Sequence, residues 1–399
     1  MSTAVLTKVV NGRWELGSVA ETAMKISERF WFGVTLAGQL AFGFAVTSFY
    51  GLTALRGDYH GWNFTHGYVP GVTKGNFAVA THLISAAIIM LAGAIQLVPQ
   101  VRHRFPAFHR WNGRTYLFTT GTLSLAGLYM TWIRGSVGDL PQHIGSTLNG
   151  VLIWICGGMA LRYALARDFK THRRWALRLF LVVSASWFIR IMLFLWFLIF
   201  RAPVGLDPTT FTGPLPTTLS YAQYLIPLAV LEIYFRAQDR PGAVRRMATA
   251  AMLFVLTLAM AAGLVAVTMA AWVPQVKAAF DFRTSIAEAL SATIDSGGID
   301  AGIQQYRELK ASKTSTYNFN EDQLNSLGYR LLRASKFNEA IRVFELNIES
   351  FPRSSNAYDS AAEGYLRAGN KAQAIAHYEM ALQLNPKNAN SRVMLRKLN

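Results

Sequence analysis

Residues 142–175 read QHIGSTLNGVLIWICGGMALRYALARDFKTHRRW. From Ile144 to Leu161 no side chain carries a charge, and Arg162, Arg167, Lys170, Arg173 and Arg174 follow at once. A helix needs about 20 mostly apolar residues to cross a hydrocarbon layer of roughly 30 Å. The stretch therefore reads as a membrane-length helix, a basic turn and the start of a second helix. His143 stands at the far end of the first helix and His172 at the near end of the second.

Working outward, the same alternation recurs. Seven apolar runs span about 30–55, 77–99, 115–133, 142–164, 175–200, 218–235 and 247–273. The chain is 52% hydrophobic and 15% charged, a balance that a soluble protein with seven such runs would not carry. The net charge of +17 is unevenly placed: residues 1–274 hold 23 Lys/Arg against 9 Asp/Glu, and residues 275–399 hold 16 against 13. Segments 1–29, 100–114, 162–178 and 236–246 carry 18 basic residues, whereas the alternate segments 55–77, 134–141 and 201–217 carry 4. Lys/Arg excess marks cytoplasmic loops. The charge is thus a topology signal, compatible with an anionic-lipid surface, and not a nucleic-acid footprint. It predicts a bacterial inner-membrane protein with a cytoplasmic N-terminus and a periplasmic or extracellular C-terminal tail.

The first run is too long for a cleavable signal peptide. Ser18 to Arg29 forms an amphipathic stretch expected on the inner surface. Trp31, Trp111, Trp132, Trp175 and Trp272 fall near run ends, where such rings favour the interface. Cys156 is the only cysteine, which excludes internal disulfides and cysteine-ligated clusters and leaves it as an apolar filler.

After Pro274 the apolar runs stop. Leu324, Leu327, Gly328, Leu331, Ala340, Phe344 and Pro352 recur 34 residues later as Tyr358, Ala361, Ala362, Tyr365, Ala374, Tyr378 and Pro386. This pattern resembles the tetratricopeptide repeat, which implies paired helices and a groove for a protein or peptide partner. The tail is also similar to repeat tails behind some secreted serine hydrolases, though no hydrolase domain is present. The expected fold class is all-α: a 1–29 N-terminal segment, a seven-helix transmembrane bundle over 30–274, a linker and degenerate helical pair over 275–319 with Gly302 and Tyr306 at the repeat positions, and a short α-helical repeat domain over 320–399 whose end, 388–399, forms a cap.

Four histidines lie at ends of consecutive runs: His82 and His143 toward the outer face, His109 and His172 toward the inner. Ionisable side chains at membrane depth are functional candidates by default. His109 lies in Phe105-Pro106-Ala107-Phe108-His109-Arg110-Trp111-Asn112-Gly113-Arg114, and His172 in His172-Arg173-Arg174-Trp175. On these motifs the chain resembles, over roughly 30–240, a bacterial family of uncharacterised predicted membrane proteins. In histidine arrangement it distantly resembles transmembrane di-haem cytochrome b reductases. That resemblance implies two haem b groups as cofactors, with His82 paired to His143 and His109 to His172 as iron ligands, and with local sequence outside the match.

Small residues run along the ligand faces: Ser146, Thr147 and Gly150 from His143; Gly113, Thr120, Ser124 and Gly127 from His109; Ala86 and Gly93 from His82. They fit a cofactor slot and equally fit close helix packing. Arg110, Arg173 and Arg174 suit haem propionates or ordinary positive-inside residues. The alternatives for the histidines are helix-start or lipid-phosphate contacts, satisfied polar positions, a non-haem metal or a proton relay. Arg190 lies 11 residues from the outer end of its run, roughly 16 Å deep. Its candidate partners are a cofactor acid group, a ligand carboxylate, helix carbonyls or Tyr221, and Arg178 is placed to pair with Glu232. His60 and His66 offer a loop metal site, and His377 faces solvent. Whether the chain is an enzyme is left open between two readings: an electron-transfer protein, or a non-enzymatic scaffold or receptor whose repeats recruit a partner.

Overall fold

The computed structural model describes residues 3–56, 62, 72–207, 210–240, 242–312 and 316–398, with side chains from Leu16 onward apart from Ala389. The loop pair His60 and His66 lies outside the described residues. The chain divides into two compact units, Met1–Phe280 and Asp281–Asn399. The division falls a few residues past the change of composition at Pro274.

The first unit is all helix among its described elements. It comprises α1 (Thr3–Val46), α2 (Leu52–Leu55), α3 (Thr73–Gln96), α4 (Pro99–Arg104), α5 (Pro106–Tyr129), α6 (Leu140–Leu165), α7 (Phe169–Val183), α8 (Ala185–Phe200), α9 (Pro214–Asp239), α10 (Ala243–Val267) and α11 (Val273–Ala279). The sequence explains the boundaries. Asp139 accepts a hydrogen bond from the Gln142 amide at 3.2 Å and starts α6, and Asp168 accepts from the Thr171 amide at 3.1 Å and starts α7. Arg201 takes a left-handed conformation (φ 54°) and ends α8 just before Pro203.

Four helical segments are long and apolar enough to cross a membrane: Leu16–Leu55, Thr73–Gln96, Leu140–Leu165 and Ala243–Ala279. The bent pair α7 and α8 makes a fifth if read as one span. Of the seven expected runs, those in α5 and α9 form long helices outside this set. In α5 the polar Thr119, Thr120 and Ser124 are buried, so its polarity points into the unit.

The amphipathic stretch Ser18–Arg29 is helical. It continues into α1, because neither Pro nor Gly interrupts the chain between Ser18 and Phe32. The fifth run is not one straight helix: α7 and α8 meet at 54°. The break falls at Ser184, whose buried hydroxyl accepts a hydrogen bond from Gln39 of α1 at 2.9 Å. A polar contact inserted at a helix break is a recognised cause of kinks. Around this bend lies the main core, with Val182, Trp187 and Ile191 buried against α1, α6 and α10.

Among the described residues, three segments that end helices wind as π-helix: Thr47–Gly51 after α1, Met130–Gly135 after α5 and Thr268–Trp272 after α10. Such segments are rare and concentrate at functional sites.

The second unit contains α12 (Ile286–Ala311), broken at Gly298 (φ 82°), then α13 (Glu321–Arg333), α14 (Phe337–Ser350), α15 (Ser355–Arg367), α16 (Lys371–Leu384) and α17 (Ala389–Leu398). Thr284–Ser285 and Tyr317–Asn318 pair as a minimal parallel ladder. Helices α13 with α14 and α15 with α16 form successive hairpins whose period-34 residues are buried: Leu324, Leu327, Ala340 and Phe344 in the first, Ala361, Ala362, Ala374 and Tyr378 in the second. Gly302 and Tyr306 are buried in α12, where the degenerate pair was expected.

Candidate functional site: the histidines and Arg190

The α6–α7 hairpin turns within Ala166–Asp168, so His172 at the start of α7 lies beside the end of α6. Its Nδ1 is 2.8 Å from the Ala160 carbonyl. A carbonyl only accepts, so Nδ1 carries the proton in this bond. His109, in the first turn of α5, lies within electrostatic reach of His172. The His109 Nδ1 is buried without a hydrogen-bond partner. Gln96 fixes the same turn by donating to the His109 carbonyl at 3.1 Å, and Asn112 donates to the Ala92 carbonyl at 2.9 Å. The two histidines thus both lie near helix starts at the inner end, each fixed by its own neighbours.

The outer pair is held differently. The His82 ring lies against Gly127 of α5 and hydrogen-bonds the Leu123 backbone, while its buried Nδ1 meets no partner at normal hydrogen-bond geometry. His143 packs edge-on against Trp132, 5.8 Å between ring centres, and its Nε2 is 3.3 Å from the Ser136 hydroxyl. The two rings rest on different neighbours.

The small-residue stripes carry protein contacts. A Cβ at Gly93 would meet the Tyr116 ring at 2.9 Å, one at Gly113 the Gln96 amide at 2.6 Å, and one at Gly150 the Ser124 hydroxyl at 3.2 Å. At Gly127 the neighbour is His82 itself, 3.6 Å away. These glycines let helices approach closely, the packing alternative for the same pattern.

The cations also sort themselves. Arg174 pairs with Asp239 and lies over the Phe235 ring, so its charge is already matched. Arg110 and Arg173 are exposed. Arg178 meets Glu232 at 2.6 Å, the pairing their depths predict. Arg190 does not meet Tyr221, whose hydroxyl donates to the Pro141 carbonyl at 2.8 Å. Arg190 instead bonds the Ser186 carbonyl one turn back on its own helix and covers the Phe42 ring, 5.1 Å from its centre. Sequence reading missed Phe42, whose only signal is that of an aromatic in an apolar run far from Arg190 in the chain.

Among the described residues no group of three or more His, Cys, Asp or Glu converges as for a metal ion.

Residues 79–235 match the family model described as predicted membrane protein DUF2306. The match covers α5 to α8, most of α3 and most of α9, and so includes all four candidate histidines and Arg190. None of the curated proteins compared with the chain matches it. With its apolar helices, the family match identifies an integral membrane protein that contacts the lipid bilayer.

Proposed function

We propose that the first unit binds haem b at its inner end, with His109 and His172 as axial ligands, and serves in electron transfer. The observation that carries this reading is the His172 imidazole. Its Nδ1 is held by the Ala160 carbonyl, the arrangement that orients and strengthens a histidine ligand. The buried, unpartnered His109 Nδ1 adds a second imidazole within reach. Haem held between two imidazoles would supply one-electron chemistry. The chain's own contribution is to orient the rings through Ala160 and Gln96, and to offer the exposed guanidiniums of Arg110 and Arg173 at the same end for acidic groups. His82 and His143 are the candidate second ligand pair toward the outer end, His143 beside Trp132 and Ser136 and His82 beside Gly127.

The reading includes seven crossings. Helices α5 and α9 complete the set, because both expose apolar side chains outward: Phe118 is 77% exposed and Leu225 52%. With basic segments inside, the N-terminus is cytoplasmic in a bacterial inner membrane and the C-terminal unit is periplasmic or extracellular. That unit is a short tetratricopeptide-type array that docks a protein partner, a reading favoured by the two hairpins at period 34.

The test is an absorption spectrum of the full-length protein from haem-replete cells, oxidised and then reduced by dithionite. A Soret band with sharp reduced α and β bands is expected, weakened in His109→Ala and His172→Ala by loss of the inner haem and in His143→Ala by loss of the outer one. A colourless, folded wild-type protein would overturn the haem reading and leave the docking scaffold as the function.

A further inference from the structure

We propose that α1 carries a dimerisation seam: a second copy of this chain packs its own α1, in parallel, along the outward face that runs from Leu16 to Phe44.

The helix has two unlike faces. Ala20, Met24, Ser27, Gln39 and Phe42 are buried against the rest of the unit. There Ser27 donates to the Ala250 carbonyl at 3.0 Å and Gln39 to the Ser184 hydroxyl. The opposite face is apolar at alternating steps of three and four residues, from Leu16 through Val19, Ala23, Ile26 and Phe30 to Phe44. Leu16, Val19, Ile26 and Phe44 are each more than half exposed. This spacing keeps a seam between two helices over several turns. Two copies inserted alike in a membrane have their first helices parallel, so the face meets its own image. Covering the five large exposed side chains, Leu40 included, in both copies removes roughly 1,000 Å² from the surroundings, and the smaller positions bring the seam to about the 1,200 Å² at which specific interfaces begin.

Lipid does not account for this face, for two reasons. The first is its length. Ser27 meets Ala250, Phe30 meets Phe254 and Gly38 meets Leu264, so α1 and α10 run in parallel register. Arg246, in the first turn of α10, lies four residues before Ala250, and Leu16 lies eleven before Ser27. At 1.5 Å per residue Leu16 stands roughly 10 Å beyond the arginine, and Val19 roughly 6 Å. Glu21, Lys25 and Arg29 occupy the same zone of α1. Hydrocarbon ends where such charges gather, yet the apolar face continues past them. The buried Ala20 and Met24 hold this part of α1 against the bundle. The second reason is residue size. In the membrane half the face carries Gly33 and Ala37, and a Cβ built at Gly33 meets nothing within 4 Å among the described residues. On α3 every exposed position from Phe77 onward is large: Phe77, Ile84, Ile88, Leu91 and Ile95. Small residues four apart let two membrane helices approach closely. The seam does not rest on the haem reading, because dimers are detected without it.

Full-length protein is reconstituted in lipid vesicles, and single introduced cysteines are oxidised with copper phenanthroline; the native Cys156 is buried. Val19→Cys and Ile26→Cys are expected to give disulfide-linked dimers, since a parallel seam brings equivalent Cα atoms to about 6 Å, within disulfide reach. Lys25→Cys, on α1 but off the seam, and Ile84→Cys, on the exposed face of α3, are expected to stay monomeric. Energy transfer between donor- and acceptor-labelled copies, each labelled through Ala372→Cys, then follows self-association as the vesicles are diluted with lipid. Gly33→Leu, which has open space within one chain and so keeps the fold, should weaken self-association by about tenfold or more. Monomers at both Val19→Cys and Ile26→Cys overturn the proposal and leave the face to the membrane surface. Equal cross-linking at Ile84→Cys overturns it as random collision. Unchanged energy transfer in Gly33→Leu overturns it as well.

Discussion

At the scale of single residues, Gly328 and Ala362 occupy equivalent places in the two hairpins, yet their freedom differs. A Cβ on Gly328 would overlap the Phe344 ring, which is fully buried between α13 and α15 and also faces Gly364. In the second hairpin Ala362 already carries that methyl, beside the buried Tyr378. Gly328→Ala should therefore destabilise the C-terminal unit by about 1–3 kcal/mol, the usual cost of overpacking. Differential scanning calorimetry of the full chain would show this as a lowered transition. An unchanged transition would mean that Phe344 has room to move. The small residue was legible in the 34-residue period. Which ring it must clear was not, because that depends on how α14 is rotated against α13.

At the scale of elements, α17 closes the second hairpin pair through polar contacts as well as apolar ones. Ser391 and Asn390 both donate to the carboxylate of Asp359 on α15, Asn390 at 2.8 Å. Burial raises the pKa of Asp359, against the lowering effect of these donors. A carboxyl whose folded pKa is raised contributes stability that is fully present below its unfolded value, about 3.9. That contribution is lost as pH rises through the folded pKa. The C-terminal transition should consequently weaken as pH rises from about 4. Asp359→Asn should flatten this slope, which melts across that pH range would test. Ser391→Ala removes a donor from a buried acid and should cost about 1–3 kcal/mol. A cap over 388–399 was expected from the position of the chain end relative to the last repeat. The carboxylate beneath it was invisible, since Asp359 reads as an ordinary surface residue of an amphipathic helix.

At the scale of the whole molecule, the proposed topology puts the two termini on opposite sides of the membrane. The single native thiol, Cys156, is 3% exposed, so an introduced cysteine would label over a low background. Ala372→Cys, on an exposed position of α16, should react with a membrane-impermeant maleimide in intact spheroplasts. Arg240→Cys, after the basic end of α9, should react only after lysis. The reverse pattern would invert the topology.

Much of the molecule was set by local sequence. Apolar run lengths, the asymmetry of Lys/Arg and the 34-residue period determined an all-helical membrane chain with a helical hairpin tail, because each depends on residues near in sequence and on the solvent that each segment meets. The tertiary structure decided the rest. The bend at Ser184 needs Gln39 from α1, the contact under Arg190 needs Phe42 from α1, and the glycine stripes are filled by Tyr116, Gln96 and Ser124 from neighbouring helices. Hydrophobic patterning says that a face is buried. Only the packing of helices far apart in the chain says which side chains meet there.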